Sequence, residues 1–85
     1  MAGTLHSREY KDVVAALVKA RKTAALSQAA LADILGRPPS YVAKVELCER
    51  RLDIVEFLVW LTVVSDEPMA FVAEVIEGLP KRLPH

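Results

Sequence analysis

The sequence predicts an all-α domain of five helices that contains a helix-turn-helix. Apolar residues recur at spacings of three and four through most of the chain, and no stretch alternates apolar and polar residues as a half-buried strand would. Glycine and proline interrupt this pattern at 36–39, 68 and 78–80, and Ser27 and Asp53 open two further segments, which gives five in all. A chain of 85 residues suits one such domain, whose small core can hold without metals or disulfides. With 53% hydrophobic and 26% charged residues, the composition is that of a folded protein rather than a disordered one.

The first helix is expected from about Ser7 to Ala24, with Tyr10, Val13, Val14, Leu17 and Ala20 along one face and Arg8, Lys11, Lys19 and Lys22 on the other. A second starts at Ser27, whose hydroxyl can accept from a first-turn N–H while Leu26 and Leu31 staple the entrance. Gly36 ends it, because glycine takes the left-handed conformation without a Cβ penalty. The third helix covers about Pro39 to Leu47. Pro39 suits the first helical position, where the missing N–H has no intrahelical partner, and it pushes Pro38 into the extended backbone of an N-cap. A fourth helix spans about Asp53 to Val64, and Pro68 starts a fifth that runs to about Glu77, stopped by Gly78 and Pro80.

Residues 1–6 and 79–85 are expected as tails around a domain at 7–78, since termini order only when something ties them down. The N-terminus lacks the apolar run and cleavage site of a secretory signal. The most apolar run, IVEFLVWLTVV at 54–64, is well short of the roughly 20 residues that span a bilayer. No membrane partner is expected, and the setting is read as cytoplasmic. The single cysteine, Cys48, excludes an intramolecular disulfide, and it lies too far from His6 and His85 to suggest zinc, so no metal or cofactor is expected.

Formal net charge is zero, yet the charge is unevenly placed. Residues 1–51 hold nine Lys/Arg against five Asp/Glu, a net of +4, and residues 52–85 hold two against six, a net of −4. A basic half leaves room for a polyanionic partner.

Leu17 and Arg21 late in the first helix precede Leu26-Ser27-Gln28, Leu31-Ala32 and Leu35-Gly36 in and around the second. Ser40-Tyr41-Val42 and Lys44-Val45-Glu46 follow in the third, then Glu49-Arg50-Arg51-Leu52-Asp53 and the Pro68 start. With this combination the chain resembles the Cro/CI-type, or XRE, family of small DNA-binding regulators over about residues 13–76. The resemblance implies a five-helix fold of the lambda-repressor type, double-stranded DNA as partner, and a setting in a bacterial cell, at the bacterial or phage nucleoid. In such a fold the second helix of the motif enters the major groove while the first crosses the backbone.

The resemblance also implies roles for individual residues. Gln28 matches a position that meets the phosphate backbone, where helix N-terminal amides favour anions. Ser40, Tyr41 and Lys44 match the outward face of the recognition helix, with Val42 and Val45 inward. Arg37, in the turn ahead of that helix, suits a phosphate better than a guanine edge. Arg50 and Arg51 fall in a segment placed near the backbone. Arg21 and Glu46 match a structural ion pair that ties helix 1 to the recognition helix.

Three departures stand out. Pro38 and Pro39 replace a capping side chain and a polar residue able to reach bases, which leaves Ser40, Tyr41, Ala43 and Lys44 for direct readout, beside the contact surface of Pro39, with Ala43 able at most to touch a thymine methyl. A limited base-contact set, supported by phosphate contacts or DNA shape, is the expectation. Cys48 stands where glycine is common after the recognition helix, and a left-handed backbone there would carry strain. It is read as structural rather than redox-active, since no second cysteine could resolve an oxidised thiol.

The fourth helix departs by being apolar nearly all round. Ile54, Phe57, Leu58, Leu61 and Val64 are expected as its core stripe, leaving Val59, Trp60 and Val63 for a homodimer interface that would bring two recognition helices to two half-sites. Val72, Val75 and Ile76 are expected to complete the core.

These expectations describe a sequence-specific transcriptional regulator, more simply a repressor than an activator, with RNA polymerase or a second protein as further candidate partners. The alternative is a protein-interaction module, an antitoxin or adaptor, on the same scaffold with weak DNA binding. An enzyme is not expected, because the serines and histidines form no nucleophile motif and no glycine-rich loop could cradle a phosphate.

Overall fold

Each of the five helices found among residues 7–83, the residues described by the computed structural model, begins where the sequence satisfies or removes a first-turn amide. Residues 1–6 of the expected N-terminal tail, and residues 84 and 85 of the C-terminal one, lie outside the described residues. Helix α1 (Arg8–Thr23) follows Ser7, whose Oγ accepts from Tyr10 N–H at 3.1 Å. Helix α2 (Gln28–Leu35) follows Ser27, whose Oγ accepts from Ala30 N–H at 3.0 Å. Helix α4 (Ile54–Val64) opens on a reciprocal capping box: Glu56 N–H donates to Asp53 Oδ1 at 2.7 Å and Asp53 N–H to Glu56 Oε1 at 3.0 Å. Helices α3 (Pro39–Glu46) and α5 (Pro68–Glu77) start on proline instead, and no side chain caps them.

The first three helices end alike. The residue after the last turn is left-handed, at φ 61° for Ala25, 71° for Gly36 and 60° for Cys48. In each case two backbone bonds close the turn, as when Glu49 N–H donates to Lys44 O at 2.9 Å and Cys48 N–H to Val45 O at 2.9 Å. Only Gly36 adopts this backbone freely. Nothing lies within 4 Å of where its Cβ would be, so the demand for glycine there is conformational and not spatial.

Leu17, Leu31, Ala32, Val42, Val45, Trp60, Leu61 and Val64 form the core. Helix α3 packs across α2 and α1, and α4 packs against α1 and α2, so the opposite side of α3 faces solvent. This is the five-helix, lambda-repressor-like architecture with α2 and α3 as its helix-turn-helix.

Helix α4 is rotated from the expected phase. Trp60, Leu61 and Val64 are buried and Phe57 and Val63 pack partly against the core, whereas Ile54 and Leu58, expected inside, are 68% and 50% exposed. An apolar helix has no polar stripe to set its rotation. Here the polar partners set it: Trp60 Nε1 donates to Tyr41 Oη at 3.2 Å inside the core, which satisfies a buried donor that an outward Trp60 would not need. The exposed face of α4 therefore carries Ile54, Val55, Leu58 and Val59. Ile76 of α5, also expected in the core, is exposed, and α5 buries no residue fully; Phe71 and Val72 are its contribution to the packing.

Candidate nucleic-acid interface

The position of α3 is fixed by charge as well as by packing. Arg21, near the end of α1, donates from Nε to Glu46 Oε2 at 2.6 Å and from Nη2 to Glu46 Oε1 at 3.0 Å. Its Nη1 donates to Leu26 O at 2.8 Å, and Gln28 Nε2 donates to Glu46 Oε1 at 2.8 Å. The two charged side chains are 8% and 7% exposed. One buried, bidentate pair thus joins α1, the start of α2 and the last turn of α3, with its remaining polar capacity used by neighbours.

Anchored this way, α3 turns Pro39, Ser40, Ala43, Lys44 and Leu47 outward, a row at spacings of one, three and four along one helical face. All but the half-buried Ala43 are exposed. Leu47, 68% exposed, is a member of this row that the sequence reading passed over. Its spacing of three from Lys44 and four from Ala43 was the signal.

Tyr41 is not on that face. It is 8% exposed, four residues from buried Val45 and on the same side of the helix. Its hydroxyl accepts from Trp60 Nε1 and donates to Glu56 Oε2 at 3.2 Å, and the two rings lie 6.2 Å apart at 57°. A ring in van der Waals contact with the core and a hydroxyl with two partners together outweigh the solvation an outward tyrosine would keep. Burial, first of all, raises the Tyr41 pKa above its ordinary value. Glu56 goes the other way: the N–H of Asp53, then Arg50 and Tyr41, hold its carboxyl below the usual range.

The arginines cluster around these aromatic groups. Arg50 Nη1 lies 2.9 Å from Glu56 Oε2, and its guanidinium is 4.9 Å from the centroid of the Tyr41 ring; Arg37 is 5.8 Å from the same centroid. Arg51 lies 5.0 Å from the centroid of Tyr10, whose hydroxyl accepts from Leu52 N–H at 3.0 Å. Both loop arginines are exposed, each over a tyrosine. Glu56 was missed as a partner in this cluster, although the Asp53-Ile54-Val55-Glu56 spacing spells its capping role.

The solved structure of an "XRE-family like protein from Pseudomonas syringae pv. tomato str. DC3000" superposes on this chain with a TM-score of 0.80 and 36% sequence identity, covering 92% of this chain and 95% of the other. This chain belongs to the XRE family. No family model matches it, and no curated protein does. The XRE-like fold is that of a helix-turn-helix regulator and is typically non-enzymatic. No helix among the described residues is long and apolar enough to cross a membrane.

The structure brings four of the expected site residues to one face of α3. Ser40, Ala43 and Lys44 share the outer row with Pro39, and Arg37, Arg50 and Arg51 flank the motif. Gln28 turns its carboxamide to Glu46, leaving its backbone N–H at the start of α2, outside the helix's own bonds. Tyr41 stands behind the surface. Among the three residues expected at a dimer interface, Trp60 is 1% exposed and belongs to the core, Val63 is half-buried, and Val59 is on the exposed face.

Proposed function

We propose that this XRE-family protein binds double-stranded DNA in a sequence-selective manner and acts as a transcriptional repressor, with α3 in the major groove. The observation that carries this reading is the solvent-facing row Pro39, Ser40, Ala43, Lys44 and Leu47 on a helix held by a buried ion pair and flanked by Arg37, Arg50 and Arg51. Lys44 supplies the charged reach to a guanine edge, Ser40 a hydroxyl that donates or accepts, and Ala43 and Leu47 apolar contact for thymine methyl groups. Arg37, Arg50, Arg51 and the N–H of Gln28 set register on phosphates. So small a base-reading set favours additional readout through DNA shape.

A protein of this kind works in the cytoplasm at the nucleoid, and it represses most simply by occupying a site that RNA polymerase needs. We further infer a homodimer, formed through Ile54, Val55, Leu58 and Val59 on α4 rather than through Trp60. This apolar face borders a groove of about 380 Å³ between α1, α4 and α5, lined by residues such as Val13, Phe57, Val72 and Leu79. Contiguous exposed apolar surface of this sort marks a protein contact. The same face is what favours the second reading, an antitoxin or adaptor that recognises another protein.

Selection of sites from random duplex DNA by the wild type and by Lys44→Ala tests the main reading. An enriched motif whose bases change with Lys44→Ala supports it; no enrichment at low salt by a folded protein defeats it. Sizing at micromolar concentration, with Leu58→Glu beside the wild type, tests the dimer, and a wild type that is already monomeric rejects it. In a dimer the enriched sites are inverted repeats about one helical turn apart, roughly 34–36 Å.

A further inference from the structure

Glu56 and Tyr41 are too deeply engaged to touch DNA, yet three hydrogen bonds hold their polar atoms where one exposed cation meets them. Glu56 Oε1 is held by Asp53 N–H at 3.0 Å and Glu56 Oε2 by Tyr41 Oη at 3.2 Å, so the carboxylate is fixed from the α4 backbone on one side and from the core on the other. Tyr41 Oη is fixed in turn by the buried Trp60 indole at 3.2 Å. Arg50 then meets this assembly twice, at 2.9 Å through Nη1 and at 4.9 Å through the face of the Tyr41 ring, while its backbone N–H donates to Lys44 O at 3.2 Å. A third contact, Nη1 to Arg51 O at 3.3 Å, uses the same nitrogen.

A guanidinium has five N–H donors in a rigid fork, and these contacts engage only the Nη1 corner. The Nε and Nη2 donors belong to a side chain that is still 43% exposed. A free arginine gives up much of its rotamer freedom when it is immobilised. Here much of that freedom is already lost before any ligand arrives.

We propose that Trp60, Tyr41 and Glu56 are positioning residues that preset Arg50 so that its open edge takes a DNA phosphate beside the recognition helix. The proposal rests on the DNA-binding reading above. It assigns the relay to Arg50 and not to the stability of α3, and it makes Glu56, an acidic residue, a contributor to DNA affinity rather than an obstacle to it. Its own charge opposes the phosphate, but that effect acts through solvent and is screened, whereas the gain is made at hydrogen-bond distance.

The test is a double-mutant cycle in DNA binding, read as affinity and as salt dependence on the duplex that the wild type selects. Arg50→Ala is expected to weaken binding by about tenfold, as for loss of a charge-assisted bond, and to flatten the slope of log K against log salt by about 0.9. Glu56→Gln keeps an oxygen for the Asp53 N–H but turns an amide toward Arg50; it is expected to weaken binding severalfold and to flatten the slope in the same direction. Tyr41→Phe keeps the ring and removes the hydroxyl, and is expected to do the same more weakly. The decisive result is that both effects vanish when Arg50 is already alanine. Equal losses with and without Arg50 would mean a purely structural role, and tighter binding by Glu56→Gln would mean that Glu56 only repels DNA; either overturns the proposal. Circular dichroism and melting of each variant confirm the fold, and Tyr41→Phe carries the test alone if Glu56→Gln does not fold. Failure of the DNA-binding reading shows separately, as a wild type that selects no duplex, and takes the proposal with it.

Discussion

Replacing Cys48 by glycine should make the protein more stable. Cys48 holds φ 60° at the left-handed position that closes α3, where its N–H and that of Glu49 satisfy the Val45 and Lys44 carbonyls. A side chain with a Cβ pays about 1–2 kcal/mol for that backbone. Glycine relieves the cost but returns roughly 0.4–1 kcal/mol through the greater freedom of the unfolded chain. The net expectation is a gain centred on about 0.8 kcal/mol, which raises Tm by about 3–6 °C in a domain of this size. Thermal melts and urea titrations of the wild type, Cys48→Gly and Cys48→Ala measure it, with an unchanged m-value showing that the unfolded state is comparable. Cys48→Ala keeps the backbone strain and removes the thiol, so it separates the two contributions. If Cys48→Gly melts no higher than Cys48→Ala, the strain argument is wrong and the half-buried thiol matters more than the backbone.

Three further outcomes follow from the same contacts. Glu46→Ala leaves buried Arg21 without its counter-ion and should cost about 3–5 kcal/mol in urea titration, whereas Gln28→Ala, which removes one hydrogen bond to the same carboxylate, should cost about 1 kcal/mol; comparable losses would show that Arg21 is not left as an uncompensated buried charge. Gly36→Ala should lower stability by about 1 kcal/mol, although no atom obstructs a Cβ there, and a neutral result would count against a purely conformational role for that glycine. Glu56 has a folded pKa below its unfolded one, so its contribution is complete above the unfolded value and is lost as pH falls through the folded value; Glu56→Gln should flatten the acid limb of a Tm against pH curve and leave the slope near neutrality unchanged.

Helix boundaries were legible because they are set by local chemistry. Ser7, Ser27, Pro39 and Pro68 stand where they do for reasons that involve three or four neighbouring residues, and the structure places helix starts at each of them. What the sequence did not reveal is the rotation of α4 and the burial of Tyr41. The two have one cause: a run such as Ile54–Val64 offers an apolar side in every direction, so its phase is decided by partners distant in sequence. Trp60 and Tyr41 are 19 residues apart, and each is placed by the hydrogen bond it makes with the other. Once Trp60 turns inward, Ile54 and Leu58 must turn out, and the surface open to a partner moves with them.

The two prolines at the start of α3 also act on the chain before it folds. Each restricts its own φ to the neighbourhood of −65°, and Pro39 keeps Pro38 out of helical backbone, so the extended conformation seen at Pro38 (φ −61°, ψ 153°) is already favoured in the unfolded ensemble. The link between α2 and α3 thus surrenders less disorder on folding, by roughly 0.4–1 kcal/mol for each proline. Its stiffness has a corollary for the proposed role. A recognition helix that cannot swing to meet its target leaves the adjustment to the duplex, so the ease with which the base-pair steps under α3 bend and narrow should rank its binding sites alongside the base edges they present.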